Sequence, residues 1–112
     1  MGLALASRAL EPSPVRANPL SVGKVEELAR NLPTWCVTHQ GARLERVVAC
    51  SSFVEAMALA NRLVPIVEEA NHHPDLLVRW GELRVTMWTH EIGGLHMNDF
   101  IVAARIEAIL GD

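Results

Sequence analysis

The apolar positions of this chain change period several times, and each change marks a new element. Val25, Leu28, Ala29 and Leu32 fall at i, i+3, i+4 and i+7, the spacing that lines one face of a helix. Ser21 stands where such a helix would be capped, and Pro33 stops it. Residues 34–39, with Trp35 and Val37, and residues 44–50 predict two strands of a hairpin. Gln40-Gly41 supplies its tight turn, since glycine takes positive φ. Ser52-Phe53-Val54-Glu55 matches a capping box, in which hydroxyl and carboxylate each satisfy an orphan amide. The helix it opens is expected to run to about residue 71, with Phe53, Ala56, Met57, Ala60, Leu63, Val64 and Val67 as a broad apolar face. Pro65 lies inside it and predicts a kink, because an interior proline costs ~3 kcal/mol and a hydrogen bond. Residues 76–80 and 83–90 predict a second hairpin around Gly81-Glu82. In the latter strand Leu83, Val85 and Met87 alternate with Arg84, Thr86 and Trp88, and His90 shares the second parity. Gly93-Gly94 is a flexible link to a last helix over residues 99–110.

The order α-β-β-α-β-β-α implies an α+β fold, a four-stranded antiparallel sheet with helices packed on one face. Residues 1–20 hold Pro12, Pro14 and Pro19 and no apolar period. They are expected to be a mobile leader that nothing docks, ahead of one domain over residues 21–112. A length of 112 residues suits one domain with its own core.

Hydrophobic content of 50% and charged content of 21% argue for a globular chain rather than a disordered one. A net charge of -3 with no basic run argues against direct nucleic-acid binding. No apolar run reaches the ~18 residues of a membrane span, and no signal pattern opens the chain, so a cytoplasmic location is expected. Cys36 and Cys50 have no CxxC partners. They are expected to be small buried hydrophobes rather than thiolate ligands or a disulfide framework.

The candidate chemistry is one ordered set: Glu68, His72-His73-Pro74, Trp80, His90 and Asp99. Three of the five histidines fall in it, and imidazole moves protons near neutral pH. Glu68 and His72 are four apart, neighbours on one helix face, so the carboxylate is expected to orient and charge-tune the imidazole. Pro74 pushes His73 out of helical geometry and aims it elsewhere. Each residue alone has an ordinary structural reading, as a solvated helix end, a strand-end histidine, a core tryptophan or a first-turn carboxylate. No HExxH or similar ligand spacing supports a metal. The case for a proton-transfer site rests on the combination.

That combination resembles the pterin-4a-carbinolamine dehydratase family, one member of which is also a dimerisation cofactor of a homeodomain transcription factor. The motif is carried by Glu68, three residues, His72-His73-Pro74, five residues, Trp80, nine residues, His90, eight residues and Asp99. Thr89-His90-Glu91, Gly94-Leu95 and Leu44-Glu45-Arg46 resemble flanking family segments, and the likeness extends over about residues 24–110. The sequence departs from the family in having His96 where Ser or Thr often caps the last helix, and Leu76 where animal members often have a bulky aromatic.

The resemblance implies dehydration of 4a-hydroxytetrahydropterin to quinonoid dihydropterin in tetrahydrobiopterin recycling, with no cofactor and no metal. It implies His72 and His90 as the acid/base pair, with His73 hydrogen-bonding the pterin substrate. Glu68 would tune His72, Trp80 would wall the pocket or support the site from beneath, and Asp99 would bind substrate or be structural. A homodimer or homotetramer is expected through sheet edges or the apolar last helix, with the leader dispensable. The alternative is a non-catalytic scaffold with a protein partner (a hydroxylase or RuBisCO), such as a carboxysome assembly factor or a transcriptional coactivator.

Overall fold

Ser21 accepts a hydrogen bond from Lys24 N at 3.2 Å and so starts the first helix, α1 (Val22–Ala29), which buries Val25 and Leu28. The computed structural model describes residues 5–12 and 17–111. After α1 come β1 (Cys36–Thr38), β2 (Arg43–Ala49), α2 (Phe53–Ala70), β3 (Asp75–Arg79), β4 (Glu82–Met87) and α3 (Met97–Leu110). A short 3-10 turn, His90–Ile92, stands between β4 and α3. The strands pair antiparallel in the order β1-β2-β4-β3. This is the α+β architecture expected from the periodicity.

Register explains which side chains meet the helices. Leu44 lies opposite Met87, Val48 opposite Leu83, and Leu76 opposite Val85, so these positions share one face of the sheet. Leu44, Leu83, Val85 and Met87 are buried there with Leu63, Phe100, Ile101 and Ile106 from α2 and α3. Truncating one such leucine to alanine costs about 2–5 kcal/mol. Arg46 has the same parity and reaches α3, donating from Nε to Glu107 Oε1 at 2.9 Å. Trp35 donates to the same oxygen at 2.8 Å. Glu107 thereby ties the loop before β1, the central sheet and the last helix together.

Several boundaries differ from the sequence reading. Strand β1 is short because Trp35 turns into the core instead of continuing it. Strand β4 ends at Met87, because Thr89 and Gly94 exchange backbone hydrogen bonds and close a loop around left-handed Gly93. Helix α3 starts two residues early. His96 Nδ1 accepts from Asn98 N at 3.1 Å, and Asp99 Oδ2 accepts from His96 N at 2.9 Å, a capping box built on a histidine. Helix α2 runs through Pro65, which is exposed. Its buried face is narrower than expected: Ala56, Ala60, Leu63 and Val67 are buried, while Phe53, Met57 and Val64 remain exposed. Cys36 is exposed and Cys50 half-buried, so neither is the buried hydrophobe expected.

The leader is the main correction. Residues 1–4 and 13–16 lie outside the described residues. Residues 5–12, expected to find no docking surface, pack on the domain. Leu5 is buried in the core, with Ala6 and Leu10 against it. Arg105 of α3 donates to Ala6 O at 3.2 Å and Arg8 O at 2.8 Å. The apolar excess of α3, read as a sign of a partner subunit, is covered inside the chain: from Met97 to Ala104 every residue is buried.

Candidate active site

The end of α2 decides how the histidines are aimed. Asn71 caps the helix in the left-handed conformation, φ 50, and His72 N bonds back to Val67 O. That turn takes His72 off the helical face that i, i+4 spacing assumed. His72 Nε2 lies 2.6 Å from Asp99 Oδ1, while Glu68 bonds His73 Nε2 instead. The expected Glu68–His72 pair is therefore replaced by two pairs, His72–Asp99 and His73–Glu68. The first is shielded, with Asp99 fully buried and the His72 side chain 18% exposed; the second is open to solvent.

Asp99 is the hub of the arrangement. Besides His72 it accepts from Thr89 Oγ1 at 2.7 Å and from His96 N at 2.9 Å. A buried carboxylate needs such partners, since leaving it unsatisfied costs several kcal/mol. Four elements converge on it: the end of α2, the Thr89–Gly94 loop, the cap of α3, and α3 itself. A carboxylate has only acceptor atoms, so His72 carries a proton on Nε2 and donates it. Its Nδ1 is left without a proton in the neutral ring, the tautomer that a hydrogen bond to a carboxylate selects.

His90 opens the 3-10 turn and is exposed. Its ring centroid lies 4.1 Å from that of Trp88, tilted by 38°. Arg43 of β2 sits over the Trp88 ring at 3.8 Å, and Trp88 Nε1 donates to Asp75 Oδ2 at 3.3 Å. Arg43 also donates to His39 Nε2 at 3.1 Å, in the turn where His39, Gln40 and Gly41 all have positive φ. Trp88 is thus held by β2 and β3 and in turn supports His90.

A cavity of ≈ 240 Å³ is lined by Asn71, His72, His73, Trp88, His90 and Glu91. It brings together the three histidines that the sequence singled out. Trp80 is not among its lining residues. It stands at the β3–β4 turn, 74% exposed, and the strand rise puts it roughly 17 Å along β3 from the histidine end. The aromatic wall is Trp88, which the sequence reading placed on the parity of His90 but gave no role. Asn71 and Glu91 were also missed; each directly adjoins a named histidine. Among the described residues no group of three or more His, Cys, Asp or Glu is arranged to hold a metal ion. No helix among them is long and apolar enough to cross a membrane.

A sequence model described as pterin 4 alpha carbinolamine dehydratase matches residues 18–109, most of the chain and every histidine of the cavity. The chain belongs to that family. Two relatives, each provisionally named pterin-4-alpha-carbinolamine dehydratase, come from Chlorobium luteolum and Chlorobium limicola. The first is 41% identical over 93 residues, covering 81% of this chain and 82% of the relative. The second is 42% identical over 96 residues, covering 84% and 85%. Among solved structures, a transcriptional coactivator/pterin dehydratase from Brucella melitensis superposes with a TM-score of 0.76 at 24% identity, over 84% of this chain and all of that one. A pterin dehydratase-like protein identified as a RuBisCO assembly factor in the alpha-carboxysome gives 0.58 at 20% identity, over 70% and 92%. At these identities the two structures share the fold. The dehydratase family frame begins at residue 18, so residues 5–12, which pack beside it, lie outside the matched segment.

Proposed function

We propose that the chain dehydrates 4a-hydroxytetrahydropterin to quinonoid dihydropterin, the recycling step after aromatic amino-acid hydroxylation. The observation that carries this is the convergence of His72, His73 and His90 on one cavity, with His72 backed by a buried carboxylate. The reaction breaks the C4a–O bond. One group protonates the departing hydroxyl, another takes a ring N–H proton, and one water leaves. Two histidines suffice for both transfers, and no electron changes hands.

His72 and His90 act as the acid/base pair. His73, held by Glu68, hydrogen-bonds the pterin. Trp88 lines the cavity and keeps His90 in place. Asp99 fixes the tautomer and direction of His72, as a positioning residue. Replacing His72 or His90 by alanine should each lower turnover by on the order of 10²-fold, the low end for losing one acid/base group. Two silent substitutions in an active wild type would refute the assignment.

A second reading is a protein-binding scaffold. Phe53, Met57 and Val64 form an exposed apolar stripe on α2, and such stripes often pack on a partner. The stripe is also a surface through which the chain could form a homodimer or homotetramer. Light scattering on wild type and Met57→Asp separates a self-contact from a heterologous one.

A further inference from the structure

The second cavity, ≈ 290 Å³, shares Asn71, His72 and Glu91 with the histidine cavity, so the two are neighbouring parts of one recess. Its far wall is formed by Leu10 and Glu11 of the leader. We propose that Leu10 and Glu11 select the substituent carried by the pterin ring, favouring a short hydroxylated chain over a bare methyl group. The inference rests on the pterin reading above and assigns the neighbouring space of that same site.

Three observations support it. The wall is fixed to the domain: Glu11 N donates to Asn98 Oδ1 at 2.8 Å and Asn98 Nδ2 donates to Glu11 O at 3.0 Å. Asn98 adjoins Asp99, so the turn that aims His72 also holds the wall. Behind it, Arg105 grips the carbonyls of Ala6 and Arg8, and Leu5 is sunk in the core.

The chemistry of the recess is rich in acceptors. Glu11 and Glu91 carry carboxylates, and Asn71 a side-chain amide. The Glu11 carboxylate lies 3.7 Å from Arg8 Nη2 and 3.8 Å from His96 Nε2, both beyond hydrogen-bond distance. Its oxygens keep accepting capacity for a ligand hydroxyl, which donates. A methyl group offers no donor and would leave that capacity unused.

Finally, the wall lies outside the segment matched by the family model, which begins at residue 18. A ring seated against His72, His73 and His90 meets residues of the matched segment, whereas a substituent reaching past His72 meets the leader. Ring chemistry is thereby carried by the matched segment alone, whereas substituent choice also draws on the leader.

The test is binding of two probes, 7,8-dihydrobiopterin with its dihydroxypropyl chain and 6-methyl-7,8-dihydropterin, followed by tryptophan fluorescence in full-length wild type and Glu11→Ala. Wild type should prefer the hydroxylated probe. Glu11→Ala should reduce that preference roughly fivefold, about one net hydrogen bond, with the methyl probe unaffected. Leu10→Ala should weaken the hydroxylated probe alone. A preference unmoved in Glu11→Ala, or both probes weakened equally, overturns the wall. Wild type that binds neither probe instead overturns the pterin reading, and the wall with it.

Discussion

His72 Nε2 stands 2.6 Å from Asp99 Oδ1, joining the end of α2 to the first turn of α3 across 27 residues of sequence. The contact gives His72 a direction, with Nε2 turned to the buried carboxylate. Neutral His72 should therefore be protonated on Nε2 and bare on Nδ1. Ring ¹⁵N shifts measure this directly. A neutral ring protonated on Nδ1 would contradict the hydrogen bond.

Two tryptophans of the same region should behave oppositely. Trp88 lines the cavity and stacks on His90, whereas Trp80 is at the far hairpin turn. Trp88→Ala should reduce kcat/KM by roughly tenfold or more, since a displaced catalytic group loses rate steeply. Trp80→Ala should leave it within about twofold, because surface changes away from such features are mild. Steady-state kinetics on the two variants decide it, and the reverse order would restore Trp80 as the pocket wall.

Glu107 offers a test that is independent of catalysis. Its Oε1 accepts from Trp35 Nε1 and Arg46 Nε, and Trp35 is buried. Glu107→Ala leaves the indole N–H and the guanidinium without that acceptor, at about 1–3 kcal/mol. Urea denaturation should show a lower midpoint with an unchanged slope. An unchanged midpoint would mean that water replaces the carboxylate without loss.

The solvent-side face of the sheet makes a pH prediction. The hydrogen bond from Arg79, with the charges of Arg79 and Arg84 adding to it, holds the Glu82 carboxyl below the usual glutamate range. A depressed folded value means that its contribution to stability is present above the ordinary glutamate pKa. The contribution is lost as pH falls through the folded value. Arg79→Ala should move the Glu82 titration upward in ¹³C-detected NMR; an unmoved titration would reject Arg79 as the main cause.

Much of this was legible in the sequence because it depends on periodicity. The i, i+3, i+4, i+7 run from Val25 and the alternation of Leu83, Val85 and Met87 report faces that the fold buries. The three cavity histidines were legible as a set. Their pairing was not, because one left-handed residue, Asn71, rotates His72 away from Glu68; an asparagine before His-His-Pro was the available signal for such a helix end, and i, i+4 spacing ignores it. His96 as a working cap and Asp99 as a hub depend on atoms meeting across the fold. The docked leader depends on Arg105 reaching its carbonyls, a contact 97 and 99 residues long in sequence. Gly94 shows the same limit. A Cβ there would stand 2.8 Å from Pro19, a close approach that only the folded chain creates.

The measurement closest to the central claim is the rate of 4a-hydroxytetrahydropterin dehydration with wild type, with Asp99→Asn, and with no protein, followed by the absorbance of quinonoid dihydropterin. Wild type should exceed the spontaneous rate clearly. Asp99→Asn, which keeps the shape but lacks the carboxylate that orients His72, should lower kcat by on the order of 10²–10⁴-fold. A wild-type rate equal to the spontaneous one would contradict the dehydratase reading. Full activity in Asp99→Asn would contradict the role given to the His72–Asp99 pair.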